Sequence, residues 1–237
     1  MPRRHNTSIL VITGASTGIG AATALQAVNA GWKVVLAARS KARLTKLVSR
    51  LGGAEHALAI ACDVSDWDSQ VGLREAAIDH FGRVDAVFAN AGVSKGSFIL
   101  DGEDTPREWR EMILTNVYGV AVTARLFLPE LIKRKGHLLL TGSVVGHVAS
   151  PGNLYSATKW AVTGMAESIR RKISGSSVRV TLISPGRVDT AFWDGMSRPA
   201  EPMLDSDDVA RAVMYALTQP PTVDINEILV RPANQDI

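Results

Sequence analysis

The stretch Thr13-Gly14-Ala15-Ser16-Thr17-Gly18-Ile19-Gly20 decides the fold. An apolar run rich in β-branched residues, Ile9 to Ile12, leads into it, and a glycine-free amphipathic stretch, Ala21 to Ala30, leads out. That order reads as strand, tight turn and helix. Glycines let the backbone take positive φ and come close to a ligand, because they carry no Cβ. A helix starting there aims unpaired N–H groups and the positive end of its dipole into the gap. A pyrophosphate fits such a place without a dedicated side chain. The spacing is G-x-x-x-G-x-G, a longer turn than the usual G-x-G-x-x-G dinucleotide fingerprint.

Gly14 to Gly18 also spells G-x-S-x-G, the nucleophile elbow of the α/β-hydrolases. That elbow needs an oxyanion N–H from an earlier strand-to-helix loop, and the run before Gly14 is too short to supply one. The nucleotide turn is therefore preferred. A glycine turn without a ligand stays open until the rest of the chain is read.

The chain has 237 residues, 46% of them hydrophobic, which fits one α/β domain over 1–237 with a large core. The net charge of +3 is scattered. Arg3-Arg4, Lys133-Arg134-Lys135 and Arg170-Arg171-Lys172 are short runs and read as solvated helix ends, not as a nucleic-acid surface. The single cysteine, Cys62, lies in a strand-like run and reads as packing. No secretory h-region follows Met1, and no uninterrupted apolar run approaches the ~20 residues of a membrane span. A cytoplasmic protein without membrane attachment is expected, and the Asn6-Thr7-Ser8 sequon is discounted.

Strand and helix signals alternate along the chain. Strands are expected over Lys33 to Ala38, His56 to Cys62, Val84 to Ala89, His137 to Thr141, Val178 to Ile183 and Ile225 to Val230. Helices are expected over Lys41 to Leu51, Asp66 to Phe81, Thr105 to Lys135, Asn153 to Ser174 and Asp205 to Thr218. Asp66 suits an N-cap. Thr105, Pro106 and Glu108 suit a capping box with proline in the first turn. A break is expected near Thr115 and a stop at Gly136. Phe192 to Leu204 reads as irregular.

Strands separated by helices imply right-handed crossovers and a doubly wound parallel sheet of about seven strands, Rossmann-type, with helices on both faces. Ligands of such sheets bind beyond the carboxyl ends of the strands. Gly14 to Gly20, Arg39, Asp63, Asn90, Ser143 and Pro185-Gly186 all fall there. This clustering favours a ligand over a set of independent turns.

An NAD-preferring fold of this kind usually carries an acidic residue about 20 residues past the glycines, on the ribose 2′-hydroxyl. Here the place reads Ala38-Arg39-Ser40. A carboxylate there would repel a 2′-phosphate, whereas Arg39 offers it a forked set of donors. Ser40 and Arg43 are close enough in sequence to help. NADP is the expected cofactor.

Tyr155 and Lys159 are four apart at the start of a predicted helix and share one face. A free phenol, with a pKa of about 10, is a poor acid–base group near neutrality. A nearby ammonium lowers that value. Ser143 ends the preceding strand, and the loop Val144 to Leu154 allows the helix start to return beside it. A hydroxyl there could hold a carbonyl oxygen while Tyr155 gives it a proton.

Over essentially its whole length the chain resembles the short-chain dehydrogenase/reductase family. Thr13 to Gly20 match its T-G-x-x-x-G-x-G turn, and Asn90-Ala91-Gly92 match its N-A-G, with Ala89 where the family has a preceding Asn. Asn116 matches its catalytic Asn, Ser143 its serine, Tyr155 and Lys159 its Y-x-x-x-K, and Pro185 to Thr190 its P-G-x-V-x-T.

The resemblance implies roles. Tyr155 is the acid–base residue and Ser143 orients the substrate carbonyl. Lys159 lowers the tyrosine pKa and binds the nicotinamide ribose, and Asn116 helps hold a water in a proton relay. Gly14, Ser16, Thr17, Gly18, Ile19 and Gly20 form the phosphate side. Arg39 and Ser40 lie at the 2′-phosphate, Asp63 and Val64 border the adenine, and Asn90 and Gly92 shape the adjoining wall. Pro185, Gly186, Val188 and Thr190 run along the nicotinamide. Thr17 stands where many NADP-preferring relatives have Lys or Arg.

The resemblance places a short substrate loop at about 192–204, where Phe192, Trp193 and Met196 could wall a pocket and Arg187 or Arg198 could take a substrate carboxylate. The run Ile225 to Pro232 resembles the 3-hydroxy-acid and serine dehydrogenase branch, so a small hydroxy acid is one expected substrate. His147 could approach the substrate mouth. His137 and His147 lack metal-ligand spacing, and no metal is expected. A small alcohol or carbonyl is the expected partner, with a homodimer or homotetramer formed through the helices of Thr105 to Lys135. The rival functions are an NAD-dependent enzyme of the same family and a non-catalytic NADP-sensing or scaffold protein on the same fold.

Overall fold

A computed structural model describes residues 7–94, 98–100, 104–194, 198–199 and 202–235. Seven strands form one sheet: β1 Ile9–Thr13, β2 Lys33–Ala38, β3 Ala57–Ala61, β4 Ala86–Ala89, β5 His137–Thr141, β6 Arg179–Pro185 and β7 Glu227–Val230. Their order is β3-β2-β1-β4-β5-β6-β7, and every neighbouring pair is parallel. The chain reverses its direction of winding between β1 and β4, and such a reversal opens a crevice at the carboxyl ends of the strands.

The helices are α1 Gly18–Asn29, α2 Lys41–Arg50, α3 Trp67–Phe81, α4 Pro106–Ile113, α5 Val120–Arg134, α6 Leu154–Lys172 and α7 Ser206–Thr218. Helices α1, α2 and α7 cover one face of the sheet, through Ala24, Leu44, Leu47, Val209 and Val213. Helices α3, α5 and α6 cover the other, through Leu73, Phe127, Leu131, Val162 and Ala166. In β1, Leu10 and Ile12 point to the first face, Ile9 and Val11 to the second. Both faces are buried, which is why the strands read as unbroken apolar runs and not as alternation. Each such side chain contributes about 1.5–3 kcal/mol by leaving water.

The helix starts follow their caps. Asp66 Oδ1 accepts from Ser69 N at 2.7 Å, and Thr105 and Glu108 form the expected capping box with Pro106 in the first turn. The expected break near Thr115 is a π-helical segment, Leu114–Gly119, joining α4 to α5. The stop after α5 differs in detail from expectation. Lys135, not Gly136, takes the left-handed conformation, at φ 53°. Gly136 is needed for another reason: a Cβ there would lie 2.5 Å from the carbonyl oxygen of Asp85.

Among the described residues, one helical run, Pro106–Arg134, is long and apolar enough by length and composition to cross a membrane. It is 29 residues long, with mean hydropathy 1.3 in its most apolar window. Its apolar residues are explained by the core, because Val120, Ala124, Phe127 and Leu131 pack on the sheet. The basic runs are partly neutralised on their own helices: Lys133 and Arg134 pair with Glu130, and Arg170 and Arg171 with Glu167. Residues 1–6, with Arg3, Arg4 and the Asn6 sequon, lie outside the described residues.

Candidate active site

A cleft of about 470 Å³ opens across the carboxyl ends of the strands. It is lined by Gly14, Ser16, Thr17, Gly18, Ile19, Arg39, Ser40, Arg43, Asp63 and Val64, and by Ser143, Tyr155, Lys159, Phe192 and Trp193, with Thr190 against Gly18 between the two groups. Asn90, Gly92, Pro185, Gly186 and Val188 complete its walls. Two expected site residues, Gly20 and Asn116, are not among the lining residues.

The glycine turn is pressed against its surroundings. Gly14 and Gly18 take φ of 65° and 55°, a region open to glycine at little cost. A Cβ on Gly14 would stand 2.8 Å from Ala91 Cα, and one on Gly18 3.0 Å from Thr190 Cγ2. Gly20 serves the turn itself, since its Cβ would meet the Gly14 carbonyl at 2.5 Å. That contact explains why it packs beneath the turn and does not reach the cleft. Helix α1 begins at Thr17 with no side-chain cap and no acidic residue in its first turn, whereas α2, α3, α4 and α6 each have a capping side chain. An uncapped start beside a bare glycine turn fits a phosphate group.

Asn90 ties three strands together. Its Nδ2 donates to the carbonyls of Thr13 at 3.0 Å and Gly14 at 3.3 Å, and its Oδ1 accepts from Thr141 Oγ1 at 3.2 Å. Its amide is therefore spent on the wall. At the adenine end, Asp63 accepts from Ser65 N at 2.9 Å and Ser65 Oγ at 2.6 Å. Burial pushes its carboxyl up, but the Ser65 hydrogen bonds and the charge of Arg39 outweigh this and hold it below the usual Asp value. Arg39 is 65% exposed and pairs through Nη1 with Glu111 of α4 at 3.1 Å. Ser40 Oγ caps α2, accepting from Arg43 N at 3.4 Å.

At the other end, α6 is started by Asn153, whose Oδ1 accepts from Ser156 N at 3.1 Å. This sets Tyr155 and Lys159 on the face toward β5. Lys159 is 3% exposed and donates to the Thr141 carbonyl at 2.8 Å. Its Nζ lies 5.5 Å from the centre of the Tyr155 ring. The Ser143 hydroxyl hydrogen-bonds the Tyr155 side chain. The expected lowering of the tyrosine pKa is not the net effect. Burial pushes the phenol above its ordinary range, and the Ser143 hydrogen bond offsets only part of that. Burial also lowers Lys159 to about 8, so the ammonium is still charged at neutral pH.

Asn116 sits on the π-helical segment behind the wall. Its Oδ1 accepts from Val93 N and its Nδ2 donates to the Val93 carbonyl, both at 2.9 Å, and Nδ2 also reaches Thr158 Oγ1 at 3.2 Å. The segment between β4 and α4 and the start of α6 are joined by this one amide. Its side-chain amide is thus engaged by Val93 and Thr158.

Three residues that sequence reasoning missed fix the Ser143 loop. Ser156 Oγ donates to the Val145 carbonyl at 2.7 Å, and Thr163 Oγ1 to the Gly146 carbonyl at 3.2 Å. Gly146 permits this closeness, because its Cβ would be 2.9 Å from the Lys159 carbonyl oxygen. Small hydroxylated residues near a Tyr-Lys pair were the available signal, but serine and threonine on a helix have many other uses. Cys62, expected only to pack, also lines the cleft.

Two weaker expectations change. His147 Nε2 lies 2.6 Å from Glu227 and 3.1 Å from Ser184 Oγ, facing β6 and β7 and not the substrate mouth. Arg198 is engaged with Asp189 at 2.6 Å, so its guanidinium is spent within the loop. Met196 lies outside the described residues.

A glycine turn at the reversal point of a parallel sheet, facing a Ser-Tyr-Lys group, defines a nucleotide-dependent α/β protein. Residues 8–200 match the family model of the short chain dehydrogenases, and the chain belongs to that family. An uncharacterised oxidoreductase of Staphylococcus epidermidis is 36% identical over 226 residues, 94% of this chain and 96% of that protein. Serine dehydrogenase in its closed form, complexed with NADP+, superposes with a TM-score of 0.90 at 28% identity, covering 97% of this chain and 96% of that one. A 3-ketoacyl-(acyl-carrier-protein) reductase of Brucella melitensis, complexed with NADH, gives 0.86 at 25% identity over 94% and 96%. The chain is therefore an oxidoreductase-family member built for a nicotinamide cofactor.

Proposed function

We propose that this chain is an NADP-dependent oxidoreductase of CH–OH donors, transferring a hydride between NADP(H) and a small alcohol or carbonyl compound, with Tyr155 as acid and base. One observation supports it most: Ser143, Tyr155 and Lys159 share a single cleft with the glycine turn and Arg39. The bound cofactor supplies or accepts the hydride at its nicotinamide ring.

This chain's residues do the rest. Gly14, Ser16, Thr17, Gly18 and Ile19 would hold the phosphates at the open start of α1, with Asp63 and Val64 toward the adenine. Pro185, Gly186, Val188 and Thr190 would wall the nicotinamide. In reduction, Ser143 holds the carbonyl oxygen and Tyr155 gives that oxygen its proton as the carbonyl carbon gains the hydride. Burial keeps the phenol protonated at neutral pH, which suits it to donate. The charge of Lys159 then stabilises the phenolate left behind, which is how a lysine supports a tyrosine whose resting pKa is high. Oxidation runs the same steps backwards.

Arg39 carries the preference for NADP. It lines the cleft, and the Glu111 carboxylate that pairs with it is one that a doubly charged 2′-phosphate can outcompete. The exposed Ile113, Tyr118 and Ile132 along α4, the π-segment and α5 support a homodimer or homotetramer. A cytoplasmic location suits a diffusible nicotinamide cofactor.

The test is NADPH oxidation by the purified protein with ketones, aldehydes and semialdehydes. Turnover of at least one class is expected. Tight NADP(H) binding with no turnover would instead support a sensor on the same fold.

A further inference from the structure

The substrate end of the cleft has a chemistry of its own. Thr190 Oγ1 accepts from Phe192 N at 3.2 Å and starts a short 3-10 turn, Ala191–Trp193. That turn places the Phe192 ring 5.5 Å from the Tyr155 ring, tilted by 60°. Trp193 stands edge-on to Phe192 at 5.7 Å, with an interplanar angle of 82°. Such tilted and edge-on pairs are favoured by the ring quadrupoles and hold one another in place. Trp193 Nε1 donates to the Val188 carbonyl at 2.9 Å, so the only polar atom of the indole is used inside the loop. Both rings are half-buried and both line the cleft, presenting hydrocarbon beside the proton-donating phenol.

The charges at this end have the opposite character from those at the adenine end. Asp194 lines the cleft and its side chain is 74% exposed. Arg198 is shared between Asp189 at 2.6 Å and Asp194 at 3.9 Å. Among the described residues of this loop, 188–194 and 198–199, two carboxylates stand against one guanidinium. Lys159, the cation nearest Tyr155, is turned to the Thr141 carbonyl and buried. A substrate carboxylate brought against Phe192 and Trp193 would lose water to hydrocarbon and stand near the exposed carboxylate of Asp194.

We infer that the substrate is a neutral carbonyl compound, or the matching alcohol, bearing an aromatic or similarly flat apolar group that packs on Phe192 and Trp193, and is not a hydroxy acid or keto acid. This rests on the proposed carbonyl reduction at Tyr155 and names its substrate class. In the reduction, the carbonyl carbon gains a hydride and the oxygen gains the Tyr155 proton, while NADPH becomes NADP+. The apolar group lies against the ring wall throughout.

Matched pairs test it on the unmodified protein. Acetophenone and benzoylformate differ by a methyl against a carboxylate, as benzaldehyde and 4-carboxybenzaldehyde differ by a hydrogen against one. The neutral member of each pair is expected to have the higher kcat/KM, by about tenfold or more. Asp194→Asn should narrow that gap. Phe192→Ala should lower kcat/KM for benzaldehyde by about tenfold and for butanal by much less. A preference for the carboxylated members overturns the inference while leaving carbonyl reduction standing. Equal losses on benzaldehyde and butanal overturn it too, since Phe192 would then only support Tyr155. Absence of turnover with every carbonyl removes the underlying reading and the inference together.

Discussion

The two ends of the cleft are built by different means. The phosphate end is made of backbone: a turn of glycines, an uncapped helix start, and Asn90 stitching β1 to β4 and β5. The catalytic end is made of side chains brought from β5, α6 and the loop after β6. The turn itself depends on residues adjacent in sequence, whereas its brace Asn90 and the whole of the second end depend on closeness that the sheet creates. Binding and chemistry should therefore be separable by mutation, each end failing in its own way.

Tyr155→Phe is the sharpest test of that separation. Turnover should fall by about 10²–10⁴-fold, the usual worth of a positioned acid–base group, while NADPH titration gives nearly unchanged affinity. Loss of affinity equal to the loss of turnover would mean that the two ends are one unit. Arg39→Asp probes the side chain proposed to read the 2′-phosphate. The ratio of kcat/KM for NADP to that for NAD should fall by about 10–100-fold, as expected for losing charge-assisted hydrogen bonds. An unchanged ratio would show that Arg39 does not read the phosphate.

Gly18→Ala tests the backbone end itself. At φ 55° and 3.0 Å from Thr190, a methyl strains the turn, and cofactor Kd should rise by about tenfold with little change in kcat. The smallest effect concerns the sheet beneath both ends. His137 is buried in β5, with Nε2 on Thr181 Oγ1 at 2.7 Å. Burial, with the nearby charge of Arg179, lowers it from 6.5 to about 3. The unfolded chain thus takes up a proton near pH 6.5 that the folded protein refuses until about pH 3. The associated stability is full above pH 6.5 and is lost as pH falls toward 3, at up to about 1.4 kcal/mol per pH unit. Denaturation midpoints between pH 7 and pH 4 should fall less steeply in His137→Gln than in the parent.

The glycine turn was legible in the sequence because its parts are contiguous. A strand, three glycines and a helix start lie between Ile9 and Ala30, and backbone geometry follows from local residue type. The Tyr155-Lys159 pair was legible for the same reason, as helix spacing places both on one face. The roles of Asn116 and His147 were not. Asn116 faces Val93 because a π-helical turn rotates it there, and His147 faces Glu227 because β7 pairs beside β6. Neither neighbour is close in sequence.

The net pKa of Tyr155 shows the same division. The sequence placed an ammonium near the phenol; only packing decided that burial would dominate. Residue order alone determined the alternation of strands and helices, the phosphate turn and the Tyr-Lys spacing, because these obey local backbone rules. Tertiary structure decided which groups are dry, which polar atoms are already spent, and which loop walls the cleft. Desolvation and long-range hydrogen bonding exist only once distant segments are packed together.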